Sequence, residues 1–217
     1  TVLYGATAGT GNWFYGPIFR NTTNAGVLNY SRHAYIYTAA ELNIPSGAKI
    51  VKLEWLKKDG GTIVAPNSFN VWLTNTTATT LPTTSAWSAL VTGATQTYTN
   101  TSFPVTIGNN TYLEAPFNIA GADSFTYTGG SLQILTDWAK SGVQTGAGIN
   151  FYVQPAAGKA IGISSQTPPV GSTVLQTATY GGQRPTMRLT YVPVPACSGI
   201  PNTGIAISST SSACTGV

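Results

Sequence analysis

A chain of 217 residues is long enough to bury a substantial core, and only 7% of its side chains are charged, against roughly 25% in an ordinary soluble domain. The formal net charge of +4 comes from ten basic residues scattered between Arg20 and Arg188, with only Lys57 and Lys58 adjacent, so no basic stripe exists to bind nucleic acid. No apolar run approaches the roughly 18 residues that a membrane-spanning helix needs, which sets aside membrane insertion by such a helix. Solubility must then come from Thr, Ser, Asn, Gln and Gly, a composition suited to extracellular β proteins and poor for a cytosolic enzyme.

Strand signals recur from one end of the chain to the other. Trp13-Phe14-Tyr15-Gly16-Pro17 is a dense aromatic cluster near the start, and His33 falls in a strand between Arg32 and Ala34. Thr38 to Leu42 has helical character, which Pro45 limits to about a turn. In Lys49 to Lys57, Val51, Leu53 and Trp55 alternate with Lys52 and Glu54, placing Glu54 on a solvent face. Asp59-Gly60-Gly61 then predicts a reversal into Thr62-Ile63-Val64. Ser68 to Thr74 turns Phe69, Val71 and Leu73 inward and leaves Trp72 on the other face with Asn70 and Thr74.

Further strands are expected at Tyr112–Phe117, Leu132–Thr136, Asn150–Gln154, Ala160–Ser164 and Thr186–Val192. Turn clusters such as Thr128-Gly129-Gly130, Pro168-Pro169 and Gly181-Gly182 punctuate them. Many short strands at this spacing predict an all-β fold, a two-sheet antiparallel sandwich of jelly-roll type, over residues 1–192. From 193 the composition changes. Val192-Pro193-Val194-Pro195 reads as a stiff linker, and 196–217 is a Ser- and Thr-rich tail or the start of another module.

The only two cysteines, Cys197 and Cys214, lie in that tail. Their spacing alone does not separate a disulfide from two free thiols, but four zinc ligands cannot be assembled around them. In a secreted context a bridge is the expected pairing, closing a loop of about 18 residues worth roughly 3 kcal/mol.

Cys197-Ser198-Gly199-Ile200-Pro201-Asn202-Thr203-Gly204 and Ser212-Ala213-Cys214-Thr215-Gly216 resemble the opening of an Ig-like repeat of large secreted adhesins from Bacteroidota-type bacteria. Tyr30 to Leu42, followed by Gly47-Ala48-Lys49-Ile50, resembles a module of the same proteins. The resemblance implies a β-sandwich domain of a multidomain protein exported by type IX secretion and tied to adhesion or gliding motility. It supplies no catalytic residues.

His33 is the sole histidine, and no Gly-x-Ser-x-Gly elbow accompanies it, so an ordinary strand histidine is the better reading. The six acids, Glu41, Glu54, Asp59, Glu114, Asp123 and Asp137, are isolated in sequence, with no marked pair for glycoside hydrolysis and no calcium-loop pattern. Five Asn-x-Ser/Thr matches, such as Asn21-Thr22-Thr23, are what a chain this rich in Asn and Thr makes by chance.

Aromatic residues are the strongest lead, because their faces stack on sugars and serve well at protein interfaces. Trp13, Tyr15, Trp72, Trp87, Trp138 and Tyr152 are the candidate ligand-binding residues, and two or three of them sharing one exposed face would make a platform. The expected role is a non-enzymatic module, secreted or displayed at the cell surface, acting in adhesion or as a structural repeat, without metal or cofactor. Its partners would be a surface polysaccharide, another protein or neighbouring domains of the same chain. A carbohydrate-binding module on a secreted enzyme and a filament subunit that donates Ile205-Ala206-Ile207 to an open sheet edge are the rival readings.

Overall fold

The computed structural model describes residues 1–5, 7–8, 11–12, 16–18, 29–64, 67–140, 148–177 and 182–194. Trp13, Tyr15, Cys197, Cys214 and the segment Ile205–Ile207 lie outside the described residues. So do the expected disulfide and the tail that contains it.

In chain order the elements are β1 (Val2–Tyr4), β2 (Gly11–Asn12), β3 (Tyr30–Tyr37), α1 (Ala39–Leu42), β4 (Lys49–Gly60), β5 (Asn67–Thr76), β6 (Thr84–Ala86), α2 (Trp87–Val91), β7 (Thr95–Asn100), β8 (Thr111–Pro116), β9 (Phe125–Thr126), β10 (Ser131–Lys140), β11 (Ile149–Ala156), β12 (Ala160–Ser165), β13 (Val174–Gln176), β14 (Gly182–Pro185) and β15 (Met187–Val192). The first sheet runs β1-β15-β4-β11-β14, with β8 and β9 joined to β4 and β2 joined to β11. The second runs β6-β13-β12-β3-β10-β5-β7. The chain passes from one sheet to the other at most connections, as in β3 to β4 to β5, so the two antiparallel sheets form an all-β sandwich.

The inner faces meet in one aromatic core. Trp55 of the first sheet packs edge-on against Phe69 of the second, centroids 5.8 Å apart, and Phe69 also meets Trp138 at 6.5 Å. Leu53, Leu113, Phe151, Met187 and Leu189 fill the first sheet's side, and Tyr35, Tyr37, Val71, Leu73 and Ile134 the second's. β5 alternates buried and half-buried residues from Asn67 to Thr74 in continuous register with β10, while its pairing with β7 shifts between Val71 and Trp72.

Strand β4 departs from the simple alternation in two places. Thr190 pairs with Lys52 and Tyr191 with Ile50, so Val51 is an extra residue, a bulge that moves the inward side from Val51 to Ile50. Ile50 is fully buried while Val51 is half-buried. At the far end there is no hairpin at Asp59-Gly60-Gly61. The strand runs on to Gly60, pairs with Ile149 of β11, and Ile63 instead bridges Val105. Gly60 has φ +99°, and a Cβ there would lie 1.9 Å from the Gly148 carbonyl oxygen, so the glycine serves this strand crossing.

The helical turn is α1. The Glu41 carboxylate reaches back to the Thr38 N–H at 2.8 Å, and Asn43 at φ 46° ends the turn in the left-handed region. The second helix, α2, was not foreseen. With β6 and β13 it forms a flap over the outer face of the second sheet. There Leu81, Trp87, Leu90 and Leu175 bury Ala34, Ile36, Leu135 and Ile161 in a second, smaller core.

Candidate functional site

Antiparallel pairing aligns one polar row across the second sheet. Arg32 of β3 lies opposite Asp137 of β10, Asp137 opposite Asn70 of β5, and Asn70 opposite Thr99 of β7. Each occupies an outward position of its strand, since their neighbours Ser31, Trp138 and Phe69 are buried inside. The next outward row is Ala34, Leu135, Trp72 and Gln96, running from the flap's small core to the uncovered edge.

Hydrogen bonds hold this surface in one arrangement. Asn70 Oδ1 accepts from Thr99 Oγ1 at 2.6 Å and from Gln96 Nε2 at 3.3 Å, which orients the amide. Arg32 donates to Asp137 Oδ2 at 3.2 Å and to the Val170 carbonyl at 2.8 Å, and its guanidinium lies 4.7 Å over the Trp87 ring. Trp87 meets Trp72 edge-on, centroids 5.6 Å apart and planes at 84°. Burial raises the Asp137 carboxyl above the ordinary aspartate value, and the Arg32 charge opposes that shift without cancelling it.

The candidate aromatics are distributed differently from the platform expectation. Trp138 is fully buried in the main core, because it is an inward position of β10, and it is not available to a ligand. Trp87 is 6% exposed as the anchor of the flap. Tyr152 is half-buried on the outer face of the first sheet, where its hydroxyl donates to Asn110 Oδ1 at 2.7 Å, on the opposite side of the sandwich from Trp72. Trp72 alone of these four is a half-buried aromatic at the open end of the polar row.

Glu54, Glu114, Glu41 and Lys57 elsewhere are engaged in internal ties. Glu54, expected to face solvent, is buried on the outer face of the first sheet. Arg188 Nε donates to it at 2.9 Å and Lys52 pairs with it at 3.1 Å. Glu114 stands directly opposite Glu54 across β4 and β8, so the fold does bring two carboxylates together, and Lys52 bridges them at 3.1 and 3.5 Å. Burial alone would raise the Glu54 carboxyl, but the hydrogen bonds from Arg188 and Lys52 hold it below its ordinary value. Arg188 also stacks 3.8 Å over Tyr112.

Glu41 is held by Arg184 at 2.6 Å, Lys159 at 2.9 Å and Thr38, beside an open recess of about 270 Å³ between β1, β11 and β14. His33 is inside the sandwich, its ring stacked on Tyr35 at 5.8 Å and against Gly162, where a Cβ would come within 2.5 Å of it. Lys57 points inward and is buried, donating to the Gly61 and Ile107 carbonyls at 2.9 and 2.8 Å. Among the described residues no three His, Cys, Asp or Glu side chains gather closely enough to hold a metal ion.

The partners of Trp72 were not legible beforehand. Arg32 and Asp137 are 105 positions apart, and nothing local in either segment marks the other. Compared with known proteins, the chain matches no family model, no curated protein and no solved structure.

Proposed function

We propose that the chain is a non-enzymatic extracellular surface module acting in adhesion or as a structural repeat of a cell-surface protein. The observation that carries this reading is where the polar row lies relative to the attachment of the strands that open and close the sandwich. β1 pairs with β15, Val2 opposite Leu189, and Thr1 Oγ1 is 2.9 Å from Thr190 Oγ1. The last strand ends at Val192 opposite Lys49, so the chain leaves the sandwich at the pole where β1 begins.

Strand β5 reaches that pole at Asn75. Its amide donates to the Thr126 carbonyl at 2.9 Å, and Thr126 Oγ1 accepts from Lys49 at 2.6 Å. Asn70 is five residues further along, roughly 17 Å away at about 3.4 Å per residue. A sandwich whose first strand begins and last strand ends at one pole, with its side-chain row on the other half of a sheet, is suited to presentation. Low charge, carboxylates tied to basic partners, and the resemblance to modules of type IX-secreted adhesins support the same reading.

Beads coated with the 217-residue chain and placed under flow test it. Retention on cell surfaces, or on surfaces coated with polysaccharide or with protein, above that of uncoated beads is the expected result. Detachment indistinguishable from uncoated beads on every surface overturns the adhesion role.

A further inference from the structure

We propose that the uncovered part of the second sheet's outer face, centred on Trp72, is a binding site for a neutral polysaccharide; this rests on the surface-module reading and gives it a ligand class. Three hydrogen-bonding groups stand on the same outer face in the row of Trp72 or the row beside it. Asn70 Oδ1 is saturated by Thr99 and Gln96, which leaves both N–H groups of Nδ2 as donors with no partner among the described residues. Gln96 donates through Nε2, so its Oε1 remains an acceptor, and Asp137 uses Oδ2 for Arg32, so Oδ1 remains another. All three side chains are half-buried, open to a ligand yet held by their neighbours.

A sugar ring offers what this surface lacks. Its hydroxyls both donate and accept, and its axial C–H face packs on an aromatic ring. Trp72 is fixed edge-on by Trp87, so little side-chain freedom is lost on binding. The charge of the row argues for a neutral rather than an acidic glycan. Arg32 has an 11% exposed side chain and both terminal nitrogens are engaged, by Asp137 and by Val170, so the one cation of the row does not stand free for a uronate or sulfate. A shallow strip along a sheet, rather than an enclosed cavity, fits a chain running past the site.

The experiment titrates the whole chain with β-1,4-glucan, xylan, mannan and chitin oligosaccharides, and with polygalacturonate for comparison, following tryptophan fluorescence and heat. Saturable binding to at least one neutral glycan is expected, changing less than twofold between low and high salt. Trp72→Ala and, independently, Gln96→Ala should each weaken it at least tenfold, while Glu114→Gln on the opposite sheet leaves it unchanged. Gln96 is on an edge strand, so its variant reports on the site even if Trp72→Ala disturbs packing. Absence of binding to every neutral glycan, preference for polygalacturonate, or binding that survives Gln96→Ala overturns the inference. If coated beads still hold to cells or protein-coated surfaces in that case, the adhesion reading stands and only the ligand class falls.

Discussion

The side chain of Asn118 lies against Thr99 as a neighbouring strand would: its Oδ1 accepts from the Thr99 N–H at 3.0 Å and its Nδ2 donates to the Thr99 carbonyl at 2.7 Å. The backbone N–H of Asn118 also donates to the Thr97 carbonyl, where Thr97 is the bulge residue of β7. Strand β7 is the last strand of its sheet, and an unsealed edge there would be a template for pairing with another chain.

Asn118→Ala should therefore raise self-association more than it lowers stability. The lost hydrogen bonds cost about 1 kcal/mol at this exposed site, whereas the opened edge adds a new pairing surface. Light scattering across a concentration series checks this. A variant that stays as monomeric as the parent would show that Asn118 does not guard the edge.

Two tryptophans that are both candidate ligand-binding residues in the sequence should behave differently. Trp138→Ala empties a fully buried position and is expected to cost about 3–5 kcal/mol. Trp72→Ala removes a half-buried ring from the outer face and should cost about 1–2 kcal/mol. Urea denaturation of both variants tests the ordering, and equal losses would contradict the assigned faces.

The tie between Glu41 and Arg184 should make the fold acid-sensitive. Burial would raise the Glu41 carboxyl, but hydrogen bonds from Arg184, Thr38 and Lys159 outweigh it and hold the group well below the usual carboxylate range. A depressed folded-state value means that its contribution is fully present above the unfolded value of about 4.3 and is lost as the pH falls through the folded value. Glu54 adds in the same direction and Asp137, raised, in the opposite one. Glu41→Gln leaves the 3% exposed Arg184 short of its counter-charge and should cost about 2 kcal/mol at neutral pH. The melting temperature should fall by about 4–8 °C, and the difference from the parent should shrink below pH 4. A difference that stays constant with pH would sink the assignment.

Lys57 acts as an internal cation for two carbonyls. Burial lowers its ammonium from the ordinary lysine value, against the opposing charge of Asp59, while the Gly61 and Ile107 carbonyls accept hydrogen bonds from it. Lys57→Met keeps the stem and strips the donors, leaving two acceptors unmade at a cost of about 2 kcal/mol. Hydrogen exchange should rise at Ile63 and Val105, whose bridge joins the two segments Lys57 holds. Unchanged exchange there would mean that the ammonium is not what pins them.

Strand patterning was enough to place β4, β5, β8, β10, β11, β12 and β15, and Pro45 was enough to limit α1 to about a turn. Those patterns are local: a strand's two faces differ because successive side chains point opposite ways. What they cannot carry is which face a distant segment will cover. Trp72 and Trp87 lie in separate elements, and the flap that joins them depends on β13 closing onto β12 some eighty residues later. The Val51 bulge, the burial of Glu54 under Arg188 and the alignment of Arg32 with Asp137 all come from register between strands. The all-β class was thus determined by the sequence alone, whereas the site around Trp72 exists only once long-range pairing brings its row together.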